Sequence, residues 1–207
     1  MLINCEGEPT IRKMEKQDVE LIVKVHLESF AGFFLSCLGP RFLSLFYSGA
    51  YSAPEGIVLV YQTSEKVLAG FVAGAVNPQG FYSRLLKRSW LKFSFASIGA
   101  ICRKPSIIKR VARALYHPSK NPAGNGVAGL LSIAVLPELQ GISVGKKLVQ
   151  SFLDEAKNVG CKKVFLTTDR DENGKVNTFY QSLGFRIERE FVTPEGRSMN
   201  EYWIDLP

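Results

Sequence analysis

The chain has 207 residues, 46% of them hydrophobic, enough to bury one sizeable core, and no repeat or low-complexity tract breaks it. Its net charge is +7, and Cys5, Cys37, Cys102 and Cys161 form no CxxC pair, which argues against a zinc site or a disulfide framework and leaves reduced thiols. The opening MLINCEGEPTIRKME lacks an apolar signal core, so a cytoplasmic protein without a metal centre is expected.

In chain order, Thr10 to Met14 reads as a strand, and Glu15 to Asp18 opens a helix whose apolar face is Val19, Ile22, Val23 and Leu27. Phe30 to Ser36 is dense in aromatics. Gly39-Pro40 then punctuates the chain before a helix over Arg41 to Tyr51. Gly56 to Gln62 and Val67 to Val76 are two strands with little alternation, as expected for a sheet covered on both faces. Gly70 and Gly74 inside the second point to a bulge or a close backbone approach.

The next segment holds the positive charge. Between Gly80 and Lys120 there are ten Lys or Arg and no Asp or Glu, leaving 16 basic against 19 acidic residues elsewhere. Phe81 to Cys102 and Pro105 to Tyr116 read as two basic amphipathic helices broken at Arg103-Lys104-Pro105. The longest uncharged run, Phe93 to Cys102, is far short of the roughly 20 residues a membrane span needs. Three readings stand: a lid over a substrate pocket, a contact with anionic membrane through 80–117, and a scaffold hairpin with a solvated basic face. Nucleic acid is not expected as a partner, because no nucleic-acid motif accompanies the charge. His117 to Gly129 is a Pro/Gly/Asn linker.

The stretch from Leu130 to Asn158 organises the rest. Leu130 to Val135 is an apolar strand, Gln140-Gly141-Ile142-Ser143-Val144-Gly145 is a glycine-punctuated loop, and Val144, Leu148, Phe152 and Ala156 mark one helix face. Gly160 ends that helix. Strand, tight loop and helix N-terminus form an anion site, since free amide N–H groups and the helix dipole converge there. Lys146 and Lys147 add charge, and the loop reads as a pyrophosphate site. It fits neither GxxxxGK[ST] nor GxGxxG. Lys162 to Thr168 reads as a buried strand, followed by Asn173 to Phe185 (NGKVNTFYQSLGF). Arg186 to Val192 and Met199 to Leu206 form a closing antiparallel pair.

The 140–145 loop resembles the (Q/R)xxGx(G/A) coenzyme A loop of the GNAT acetyltransferase superfamily. Gln140 and Gly145 match, while Ser143 replaces the first glycine and fits if residue 143 keeps φ below zero. Asn173, Phe179, Tyr180, Gly184 and Phe185 match the superfamily's NxxAxxFYxxxGF segment, with Val176 at the alanine position. The resemblance runs from about residue 10 to the end. It implies one α/β (α+β) domain over 1–207: a mixed, mostly antiparallel central sheet of six to seven strands flanked by helices, with the basic helical insertion at about 80–120. It also implies acetyl-CoA as acetyl donor, a primary amine on a small molecule such as an amino sugar or nucleotide sugar as acceptor, and dimerisation through the closing strands.

By that resemblance Tyr180 is the general acid, and Asn173 holds the pantetheine arm. The coenzyme contacts are Ile133, Ala134 and Val135 on the central strand and Gln140, Gly141, Ile142, Ser143, Val144, Gly145 and Lys146 in the loop. Phe30, Phe33 and Phe34 could line the acceptor cleft or pack in the core, and Ser132 and Thr168 join them as substrate contacts. The central strand carries no glutamate, which leaves Asp169, Thr168, His26, His117 and Glu201 as alternative bases. A second class of function also remains open: a module that keeps the fold and the coenzyme site without turnover.

Overall fold

The computed structural model describes residues 8–103, 124 and 126–207. Its strands are β1 (Thr10–Lys13), β2 (Gly56–Gln62), β3 (Leu68–Val76), β4 (Val127–Val135), β5 (Lys163–Asp169), β6 (Arg186–Val192) and β7 (Ser198–Asp205). They form one seven-stranded sheet in the order β1-β2-β3-β4-β5-β7-β6. Every pairing is antiparallel except β4 with β5. The helices are α1 (Val19–Ser29), α2 (Phe34–Cys37), α3 (Pro40–Ser52), α4 (Phe81–Arg88), α5 (Trp90–Arg103), α6 (Val144–Asn158) and α7 (Gly174–Ser182).

Side-chain alternation divides the core between the two faces of the sheet. Val58, Val60, Phe71 and Ala73 turn toward α1, α3, α4 and α5. Ile57, Leu59, Tyr61 and Val72 turn toward α6, whose stripe of Val144, Leu148, Phe152 and Ala156 is buried as its four-residue spacing dictates. Gly160 at φ +86° ends α6, with the Cys161 N–H bonded to the carbonyl of Ala156. At Gly74 the helix sits so close that a methyl group would strike the Phe152 ring and the carbonyl of Gly129.

The register of β3 against β4 slips between Ala73 and Gly74: Gly74 faces Leu130, while Ala73 faces Ser132. Leu131 is therefore the extra residue of a bulge. A bulge re-aims the side chains that follow it. Without it Ser132 would share the α6 face with Leu130; with it Ser132 points toward α1 and α3.

Two expectations change. Phe81 to Cys102 is not one helix but α4 and α5, divided at Ser89, whose φ of −136° and ψ of +36° lie outside the helical region. Its N–H closes α4 on Leu86, and its carbonyl accepts from Phe93 N–H to start α5. Residues 127–129, read as linker, belong to β4. The expected helix over 105–116 and His117 lie outside the described residues.

Candidate functional site

The parallel pair β4 and β5 stays in register for only three residues, from Val127 opposite Lys163 to Gly129 opposite Phe165. Beyond that the strands part, and a cleft of about 790 Å³ opens between Leu130–Val135 of β4 and Leu166–Asp169 of β5. It passes through the sheet. The loop from Gln140 to Lys146 lies at its α6 side, and Phe30, Phe33, Phe34 and Leu35 at its α1 side.

The loop is built to hold its shape. The Gln140 amide donates to the carbonyl of Val135 at 3.0 Å, tying the turn to the strand end. Gly141 and Ser143 both take positive φ, +83° and +67°. Residue 143 was expected below zero, and the structure reverses that expectation. The turn into α6 needs a left-handed residue, and serine accepts the strain of about 1 kcal/mol that glycine would avoid. The first helical hydrogen bond of α6 runs from Lys147 N–H to the Ser143 carbonyl. The amides of Val144, Gly145 and Lys146 thus precede the helical ladder, at the positive end of a 15-residue helix.

Most of the residues singled out in the sequence line this cleft: Phe30, Phe33, Phe34, Ser132, Ile133, Ala134, Val135, Gln140, Gly141, Ser143, Gly145, Lys146, Thr168, Asn173 and Tyr180. Two do not. The Val144 side chain is spent on the α6 core stripe, and Ile142, 59% exposed, points outward at the apex of the turn.

Tyr180 is buried on α7 against the rings of Phe179 and Phe185 and borders the cleft. Burial pushes its phenol well above the ordinary value, so it stays protonated. The Asn173 amide donates to Thr168 Oγ1 at 2.8 Å and to the Asp169 carbonyl at 3.0 Å, bracing the end of β5. Asp169 itself is gripped by two bonds from Arg197, at 3.0 and 2.7 Å. Glu201, by contrast, is buried away from the cleft, bonded by Arg189 at 2.6 Å and by the Trp203 indole N–H at 3.0 Å. It does not line the cleft, which removes it from the set of bases.

His26 lines the cleft from α1 and is 3% exposed, with Nδ1 at 2.7 Å from the Tyr47 hydroxyl. Burial pushes its imidazole down to about 4, so it is neutral at pH 7. Sequence reasoning missed Arg197, Tyr47 and Met199. Arg197 sits in a turn and Tyr47 repeats no motif; only the fold carries them to the site. The described part of the basic insertion contributes no cleft residue, which leaves the lid reading without support there.

A family model described as the acetyltransferase (GNAT) family matches residues 22–185. N-alpha-acetyltransferase 30 of Schizosaccharomyces pombe is 28% identical over 109 residues, 49% of this chain and 63% of that protein. The chain thus spans less than two thirds of that relative's length. A GNAT-family protein from Desulfovibrio desulfuricans has the same fold at TM-score 0.63 and 15% identity, covering 95% of this chain and 98% of that one. A spermidine/spermine N-acetyltransferase from Vibrio cholerae follows at TM-score 0.58 and 17% identity, covering 97% and 94%. The family match spans the parted strands, the glycine loop ahead of α6 and the FYxxxGF helix, and the chain belongs to the GNAT acetyltransferase family.

Proposed function

We propose that the protein is an acetyl-CoA-dependent N-acetyltransferase that acetylates a primary amine on a small molecule by direct transfer. The observation that carries this reading is the parting of β4 from β5 directly before a helix N-terminus. An extended pantetheine arm fits such a slot as an added strand, meeting the backbone of Ile133 and Val135. The amides of Val144 to Lys146, with the Lys146 ammonium, suit the pyrophosphate.

Acetyl-CoA supplies an activated acyl thioester, so the protein has to position groups and manage protons. Tyr180 holds its proton at the cleft wall, ready for the departing sulfur. Ser132 offers an acceptor oxygen to the incoming amine. Ionised amines do not attack, so the amine sheds its proton first, to Asp169 or to water in the open cleft.

The acceptor wall argues about the substrate body. It presents Phe30, Phe33 and Phe34, and its carboxylate, Asp169, is already bound by Arg197. A polycation finds little to pair with there. A neutral or anionic body with one amine, such as an amino sugar or a nucleotide sugar, fits better.

The test is a thermal-shift titration with acetyl-CoA, with free CoA and ATP alongside. At one hundred times its dissociation constant a ligand stabilises by about 2.7 kcal/mol, which moves the midpoint several degrees. A shift with acetyl-CoA and none with ATP is expected, followed by thiol release when the right amine is added. No shift with acetyl-CoA would refute the reading.

A further inference from the structure

Helix α5 turns the wrong residues outward. Phe93, Ser97 and Ala100 are buried, Phe93 and Ala100 in the core on the α1–α3 side of the sheet, and the Phe93 ring lies 4.9 Å from that of Phe42. At 100° per residue the opposite side of the helix is Leu91, Phe95 and Ile98, spaced i, i+4, i+7. These are 53%, 72% and 51% exposed, and Trp90 beside them is 61% exposed. A surface helix normally carries polar residues there. Single exposed apolar side chains need no explanation, but an outward stripe of them marks a contact.

The surroundings identify the partner. Lys87 and Arg88 on the last turn of α4 and Lys92 on the first turn of α5 are exposed, and no Asp or Glu occurs anywhere between Gly80 and Lys120. An apolar stripe with Trp and Phe, flanked by cations without acids, matches a bilayer interface with acidic headgroups. A protein partner of ordinary surface would leave the cations without a matching field. No described helix is long and apolar enough to cross a membrane, so the contact is in plane. We infer that the protein docks on anionic membrane through α5, with Leu91, Phe95 and Ile98 entering the headgroup–acyl boundary and Lys87, Arg88 and Lys92 on the phosphates. This contact is independent of the acetyl-transfer reading, because no described α5 side chain lines the cleft.

The experiment is flotation of the full chain with phosphatidylcholine–phosphatidylserine vesicles and with phosphatidylcholine alone. Trp fluorescence is followed in the same samples. Expected are co-flotation with the anionic vesicles only, weakening with added salt, and a blue shift that Trp90→Ser abolishes. Leu91→Ser/Phe95→Ser/Ile98→Ser reduces binding at least tenfold while the melting midpoint and the acetyl-CoA shift stay at wild-type values. Lys87→Gln/Arg88→Gln/Lys92→Gln reduces it about a hundredfold, about fivefold per cation. Three results overturn the proposal. One is no flotation at low salt. Another is a dimer by sedimentation that the serine variant dissolves, which makes the stripe a contact between copies. The third is a serine variant that melts lower than wild type without vesicle binding, which means that the chain covers the stripe itself.

Discussion

The Nδ1 atom of His26 lies 2.7 Å from the hydroxyl of Tyr47, with no charged partner for either group among the described residues. Ser132 on the parted strand also acts on this hydroxyl, partly offsetting the upward push of burial, so polar groups of α1, α3 and β4 are electrostatically linked. Burial pushes the Tyr47 phenol far up and the His26 imidazole far down. Both are neutral at pH 7. This neutral group therefore backs Ser132 at the cleft without placing a charge in the core, and it depends on the bulge at Leu131 that turned Ser132 to this face. His26 Nε2 has no hydrogen-bond partner among the described residues, which makes the imidazole costly to protonate and costly to disturb.

That cost gives a pH dependence with a definite sign. The unfolded chain binds a proton at His26 near the ordinary value of 6.5, whereas the folded chain does so only near about 4. Between those values the unfolded state holds more protons, so stability rises with pH. Acidifying from pH 7 to pH 5 should cost about 2 kcal/mol from this one residue. Asp18, held below its ordinary 3.8 by Arg12 and the Glu15 amide despite its burial, loses its contribution only at lower pH, so the two windows separate. Urea titrations at a series of pH values measure the slope. In His26→Gln the slope between pH 6.5 and about 4 should flatten. An unchanged slope would mean that His26 is not the group that titrates.

Tyr180→Phe separates chemistry from binding. Among the described residues the hydroxyl makes no hydrogen bond, while the ring packs against Phe179 and Phe185, so the variant keeps its fold. If Tyr180 protonates the leaving sulfur, kcat falls about a hundredfold or more, and the acetyl-CoA thermal shift is retained. Because burial keeps the phenol protonated, the wild-type rate should show no alkaline decline from this residue at pH values where the protein is folded. Steady-state thiol release with and without the substitution checks both statements. Equal kcat values in the two proteins remove Tyr180 from the mechanism.

Ser143→Gly tests the strained loop. At φ +67° serine carries a left-handed penalty of about 1 kcal/mol that glycine avoids, partly offset by the greater entropy of glycine in the unfolded chain. The variant should be more stable by up to about 1 kcal/mol in urea titration, with acetyl-CoA binding equal or tighter. Ser143→Val should lose more than 1 kcal/mol, because a β-branched side chain tolerates this region worst. A glycine variant less stable than wild type would show that the serine hydroxyl makes a contact outweighing the strain.

The periodic elements were legible because local pattern and tertiary burial agree in them. The α6 stripe and the covered strands β2 and β3 are examples: every four residues in one case, unbroken apolar runs in the other. The break at Ser89 was not legible, since the residues on both sides favour helix and only the bonds of Ser89 to Leu86 and Phe93 decide it. In the site, Tyr180, Asn173 and the loop could be read because they recur in motifs. Arg197, Tyr47 and the bulge at Leu131 could not. Each acts through a partner more than fifteen residues away in the chain, and a linear pattern carries no trace of such a pairing.

Asn177 is another such residue. Its amide nitrogen donates to the carbonyls of Asp169, Arg170 and Asn173 at 3.1, 3.2 and 3.0 Å. Its oxygen accepts from Asn200 at 3.1 Å and from the Tyr202 hydroxyl at 3.0 Å. One side chain thus joins α7, the loop after β5 and the buried face of β7. Asn177→Ala leaves the Tyr202 hydroxyl and the Asn200 amide inside the protein without their partner, each costing about 1–3 kcal/mol. Total destabilisation should reach about 3 kcal/mol or more in urea titration. Asn177→Asp should recover part of it, because a carboxylate still accepts from both donors. Asn177 also fixes the end of β5 at Asp169, so the alanine variant should weaken acceptor binding, seen as a higher KM at temperatures where the protein stays folded. Loss of less than 1 kcal/mol would mean that water replaces the amide in this junction, and that β5 and β7 hold the cleft edge through their backbone pairing alone.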